Sequence, residues 1–320
     1  MAWKRKGREA VPTPSGRQHH IEYGSQRATV VEVGGGLRIY EVDGFSVVDG
    51  YDEEEMAPAG RGQVLIPWPN RLAGGLYRLG EETHQVALSE PAQHNAVHGL
   101  VRWSAWELID ASPRRVRLGH MLWPQAGYPF TLALELAYEL SDLGLRVTIT
   151  AENAGKHPAP YGAGQHPYIR AELTSVDTSV LHLPADTWLE TDVRQIPTGR
   201  LLSTAGTEYD FGTPRTIGST RLDTAFTGLA RMDDGLAWIE LTSSDKRRTV
   251  AMWLDGAFEY VMAFTGDTLD EAARRRSIAL EPMTCAPDAF NNCMGMQVLE
   301  PGQRVSASWG LEMRAHPTGS

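Results

Sequence analysis

Across FTLALELAYEL, apolar and polar positions alternate: Phe130, Leu132, Leu134, Leu136, Tyr138 and Leu140 fall on one side, Thr131, Glu135 and Glu139 on the other. A period of two marks a strand with one face in a core and one in water. LRVTITAEN repeats it, with Leu145, Val147 and Ile149 opposite Arg146, Thr148 and Glu152. The intervening SDLG has turn chemistry, so the two runs predict a long antiparallel hairpin. VSASWGLEMRA sets Val305, Ala307, Trp309, Leu311 and Met313 against Ser306, Ser308, Glu312 and Arg314, and DKRRTVAMWLD continues the theme. Helical periodicity beyond two turns is missing; the best candidate is the short TLDEAARRR, with Thr268 as its N-cap. With 32 glycines and 19 prolines punctuating many strands, the chain predicts an all-β fold, a large antiparallel sandwich with only short helices.

Composition narrows this. A chain of 320 residues with 42% hydrophobic and 22% charged side chains has enough apolar surface for a large core, which excludes disorder of the whole. Its net charge of −10 disfavours nucleic acid and anionic membranes as partners and suits a small molecule. The exception is the opening MAWKRKGREAVPTPSGRQHH, where Lys4, Arg5, Lys6, Arg8 and Arg17 outweigh Glu9. Lacking apolar periodicity, residues 1–20 read as a mobile basic tail before a single β domain over 21–320. No apolar run follows the tail, and none elsewhere approaches the ~20 residues of a membrane span, which predicts a cytoplasmic protein with no membrane partner. Cys285 and Cys293 are too few for a disulfide framework or a zinc ribbon and read as free, mostly buried thiols.

Four segments carry polar clusters that alternation does not require. In LIPWPNRLAGGLYRLG, Pro67 and Pro69 stiffen a loop around Trp68 and deliver Asn70 and Arg71, whose guanidinium either serves loop carbonyls or points a five-donor fork at a ligand. PAQHNAVHGL holds His94 and His98 four apart; Pro91 and Gly99 indicate a loop rather than a helix, and without a third ligand no metal site is expected, leaving His98 as a site candidate. In APYGAGQHPYIR, glycines precede His166 and a proline follows, a setting for a proton donor near neutral pH or for a buried imidazole bonded to backbone. In TRLDTAFTGL, Asp223 interrupts an apolar run and caps a turn or faces a site. A fifth polar residue, Glu281 in LEPMTCAPDAFN, sits between an alternating run and a bend. No nucleophile elbow, phosphate loop or dinucleotide fingerprint competes.

Taken in order, PWPNRL with a following G-x-Y, VHGL, GQHPY, LDTAF, EPMTCAPDAFN and a Pro301-Gly302 turn into a last strand resemble the aldose 1-epimerase (galactose mutarotase) family, from about Val64 to the C-terminal strand. The resemblance implies a β-supersandwich, no metal or organic cofactor, and interconversion of the α and β anomers of a free aldose. It implies Glu281 as general base and His166 as general acid, with Arg71, His98 and Asp223 holding sugar hydroxyls. Asn70 and Trp68 join these as contacts, the indole supplying an apolar face for the ring. Around the acid this chain reads Gln165-His166-Pro167-Tyr168 where better-known members have Asn-His-x-Tyr-Phe, a departure that bears on sugar identity. Two rivals are an enzyme for a modified or phosphorylated sugar, whose anion would want cations beyond Arg71 such as Arg78 or Arg102, although exposed faces explain both more cheaply, and a non-catalytic carbohydrate-binding protein on the same scaffold; a homodimer is left open.

Overall fold

The computed structural model describes residues 13–316. Lys4, Arg5, Lys6 and Arg8 of the expected tail lie outside this range. The strand Gln18–Tyr23 pairs along its full length with Gln26–Val31, so the boundary expected after residue 20 falls inside a sheet. Ile21, buried in that strand, and Tyr23 two residues on, packed against the core, tie it down; two apolar positions at the end of a polar, basic segment were too short a signal to read as alternation.

The expected hairpin is present as Leu132–Ser141 paired with Gly144–Asn153, buried and half-buried residues alternating along the first. It lies inside a nine-stranded antiparallel sheet whose next members are Arg304–Ala315, Arg248–Leu254 and Ala237–Thr242. An eight-stranded sheet faces it, running from Pro197–Ser203 through Ala185–Thr191, Asp223–Leu229, Tyr260–Phe264 and Ile278–Met283 to Gly164–Gln165 and Val64–Leu65. One apolar cluster fills the space between, with Trp309, Tyr138, Phe226 and Phe258 among its largest members.

TLDEAARRR forms turns, not a helix. Arg275 takes a left-handed φ of 53°, which ends any α-helical run, and its guanidinium is anchored instead to Asp177, Asp267 and the carbonyls of Gly218 and Thr220. Among the described residues the α-helix is limited to Ala289–Asn292.

Inside the sandwich, the Gln165 amide donates to the Tyr138 hydroxyl (2.8 Å) and to the Gly62 carbonyl, and accepts from the Trp309 indole at 3.1 Å. A fully buried amide with every group used is rigidly held. Because neighbouring strand residues point to opposite faces, fixing Gln165 inward turns His166 outward.

Candidate active site

Glu281 lies within the strand Ile278–Met283, not at its end as the sequence suggests, and every residue of that strand is buried. Ile278 and Leu280 enter the main core, whereas Met283 joins a second apolar cluster with Met262 and Tyr260. Glu281 therefore shares the outer face of the eight-stranded sheet. Its partner Met262, and Asp223 opposite Phe264 on the next strands, bring a second carboxylate to that face.

Gly164 is opposite Met283, and Tyr168 is opposite Ala279. The same antiparallel register sets His166 directly across from Glu281, although the ladder is interrupted there because Pro167 and Pro282 have no N–H to donate. Leu280 N–H still donates to the Pro167 carbonyl at 3.2 Å, while the His166 backbone turns to the other side and bonds Gly62 and Gln63. The result is a cross-strand pair: His166 Nε2 is 3.3 Å from Glu281 Oε1, with side-chain exposures of 6% and 3%. Tyr168 stacks on the imidazole, centroids 4.9 Å apart and planes 10° apart. Gly60 closes the opposite side; a Cβ there would stand 2.8 Å from His166 Cδ2.

This pair forms the floor of a cavity of about 330 Å³, walled also by Asn70, Arg71, Glu90, His98 and Asp223. Arg71 is gripped bidentately by Glu90, Nε to Oε2 at 2.9 Å and a terminal nitrogen to Oε1 at 3.0 Å. The Asn70 N–H donates to His98 Nδ1 at 3.1 Å, which makes Nδ1 the acceptor and leaves the proton of the neutral ring on Nε2. His98 holds a left-handed φ of 62°, strain tolerated because Gly99 behind it packs on the Ile66 carbonyl, where a Cβ would come within 2.1 Å. His94 is exposed and outside the cavity. Trp68 is a correction: it is buried in the core, edge-on to Phe290 at 5.7 Å, and does not line the cavity. Trp103, exposed at the rim, takes the place of an indole wall.

Burial governs the charges. Desolvation, then the charges of Arg102 and Arg61, depress the His166 imidazole to about 3, so the imidazolium expected near neutral pH is not its resting form. Desolvation and the neighbouring Asp223 hold Glu281 well above the usual carboxylate range, against a smaller opposing pull from Arg71. Burial likewise lowers His98 and raises Asp223. Both shifts favour the uncharged pair, a carboxyl beside an imidazole. It holds the same number of protons as a carboxylate beside an imidazolium, one transfer away. Glu281 Oε2 and His166 Nδ1 are buried without hydrogen-bond partners, the first a free basic position once the carboxyl gives up its proton.

Three segments, none offering more than one ligand, bring donor atoms of His98, His166 and Glu281 within 4.8 Å of one another. The cluster has the ligand types of a zinc site. Arg102, Arg71 and Arg61 bring positive charge to its histidines and Asp223 negative charge to its carboxyl, and the same atoms are those able to move protons. We read it as an acid/base group. Sequence reasoning missed Tyr168 and Trp103 at the site, Tyr168 alone carrying a signal as the last residue of GQHPY; of the two arginines it weighed for an anionic substrate, Arg102 lines the cavity and Arg78 does not.

A model of the aldose 1-epimerase family matches residues 18–312. In sequence the chain is 34% identical to the uncharacterized protein YihR of Escherichia coli (strain K12), over 90% of this chain and 91% of that one. It is 28% identical to a maltose epimerase of Levilactobacillus brevis, over 76% of each chain. In structure it superposes on a putative aldose 1-epimerase from Escherichia coli K12 with a TM-score of 0.81 at 18% identity, covering 94% of this chain and 99% of that one.

Proposed function

Since the chain belongs to the aldose 1-epimerase family of isomerases, we propose that it interconverts the α and β anomers of a free aldohexose such as glucose or galactose, with Glu281 as base and His166 as acid. Opening a cyclic hemiacetal needs a proton taken from the anomeric hydroxyl and one delivered to the ring oxygen. The observation that carries the reading is the buried pair at 3.3 Å with Glu281 Oε2 unpartnered. Proton transfer from carboxyl to imidazole gives the carboxylate that accepts from the anomeric hydroxyl and the imidazolium that serves the ring oxygen. Rotation about C1–C2 and the reverse transfers close the other anomer. Asn70, Arg71, His98 through its Nε2–H, and Asp223 supply donors and acceptors for the remaining hydroxyls, and Trp103 an apolar face. Two free thiols, and the lack among the described residues of a helix long and apolar enough to cross a membrane, are in keeping with a cytoplasmic place of action.

Glu281→Gln tests this. The amide keeps the shape but cannot accept the proton, so mutarotation followed by optical rotation, with the spontaneous rate subtracted, is expected to fall by about 10²-fold or more in kcat. Calorimetry is expected to show sugar still bound. Near wild-type turnover of every aldose tried would remove Glu281 from the mechanism.

A further inference from the structure

Every charged wall residue of the cavity but one has a place in the reading above. The exception is Arg102. Among the described residues its guanidinium makes no salt bridge and no hydrogen bond; its one aromatic neighbour is Trp103, 5.8 Å from guanidinium carbon to ring centroid. Burial lowers its pKa. Arg71 is different, because Glu90 already neutralises it in a bidentate grip. Asp223 feels Arg71 and Glu90 and no charge from Arg102, so it is no substitute partner.

The backbone under Arg102 is locked. Gln63 donates to its carbonyl at 2.8 Å, and Gly34 lies so close that a Cβ there would come within 2.5 Å of the same oxygen. A half-buried cation fixed at a cavity wall without a counter-charge is costly to the empty protein. It also works against the chemistry, because its field disfavours a proton on both His98 and His166. A ligand bearing its own negative charge eases both costs together: it pairs with the planar fork and offsets the Arg102 share of the depression of His166, burial remaining the larger cause.

We propose that the sugar turned over best by this protein carries an anionic substituent, a carboxylate or a phosphate ester, which Arg102 receives. This rests on the mutarotase reading and narrows its substrate class. Because the bound anion also relieves His166, the preference for it extends to kcat and not only to KM.

The test compares kcat and KM for mutarotation of glucose, galactose, glucuronate and glucose 6-phosphate by the wild type, Arg102→Gln and Arg102→Lys, with folding of each variant checked by circular dichroism. The wild type is expected to favour at least one anionic sugar over its neutral parent in kcat/KM, and Arg102→Gln to reduce that ratio about 10- to 150-fold, the worth of a charge-assisted contact. Arg102→Lys keeps the charge but loses the fork and is expected to fall between. Which anion is favoured separates carboxylate from phosphate. A wild type that turns over neutral aldoses at least as well as both anionic ones overturns the proposal and leaves the mutarotase reading standing, as does an equal loss on neutral and anionic sugars in Arg102→Gln. A wild type inactive on all four overturns the mutarotase reading itself.

Discussion

Two buried carboxylates lie on either side of Tyr168, and they are handled in opposite ways. Asp49 is 3% exposed and receives Arg276 (Nε to Oδ2 at 3.0 Å), Arg61 at 3.3 Å, Arg170 at 3.5 Å and the Ser277 hydroxyl at 2.8 Å. Burial alone would raise its pKa, but the bonds from Arg276 and Ser277 and the charges of Arg276 and Arg61 overcome that and hold it below the ordinary value. Glu281 is 2% exposed, has one imidazole at 3.3 Å, leaves an oxygen unpartnered and is pushed upward. Similar exclusion from solvent thus accompanies a lowered carboxyl pKa in one place and a raised one in the other. What separates them is whether hydrogen bonds are saturated. The two are linked: Arg61, paired with Asp49, lies 4.2 Å over the Tyr168 ring, which also stacks on His166.

The contrast predicts that damage on one side is read in rate and on the other in stability. The largest effect is expected from His166→Asn, which removes the proposed acid and lowers kcat by about 10²–10⁴-fold in polarimetry while the fold survives. Its stability signature has a definite sign. An imidazole depressed from 6.5 to about 3 stabilises the fold fully above pH 6.5 and loses that contribution as the pH falls toward 3. The difference in unfolding free energy between wild type and His166→Asn, from urea titrations at a series of pH values, is therefore expected to grow from pH 3 to about 6.5 and then level off. A pH-independent difference would mean that the imidazole is not depressed.

Asp49→Asn is expected next, costing about 3–5 kcal/mol of unfolding free energy by leaving several guanidinium groups around an uncharged amide. The kcat of the remaining folded fraction should change far less than in His166→Asn; a loss of rate without a loss of stability would erase the distinction between the two carboxylates. The smallest effect is expected at the link. Tyr168→Leu removes a stacked pair worth about 0.5–1.5 kcal/mol, enough to loosen His166 and reduce kcat by up to about tenfold. Full activity in that variant would show that Gly60 and the backbone hold the ring unaided.

The hairpin Leu132–Asn153 was legible because alternation is local: each residue's neighbours along the chain declare its face. Family, fold and the segments holding Glu281, His166, Arg71, His98, Asn70 and Asp223 were legible from motifs in order. Pairing was not. That His166 faces Glu281 follows from a register between strands more than a hundred residues apart, and prolines at 167 and 282 hid it by resembling a bend. Trp68 and Trp103 show the same limit: both sit in loops, and nothing adjacent says which indole enters the core and which reaches the rim. The Asp49 cluster, drawn from Arg61, Arg170 and the adjacent Arg276 and Ser277, left no local trace.

The proton equivalence of the Glu281–His166 pair has a consequence for how the protein meets its surroundings. On the proposed roles, ring opening takes one proton from the sugar and returns one to it, and reclosure reverses both, so each cycle ends with the site in its starting composition. No exchange with the solvent is required to reset it, buffer molecules have no part to play, and the direction of net conversion is left to the ratio of anomers supplied.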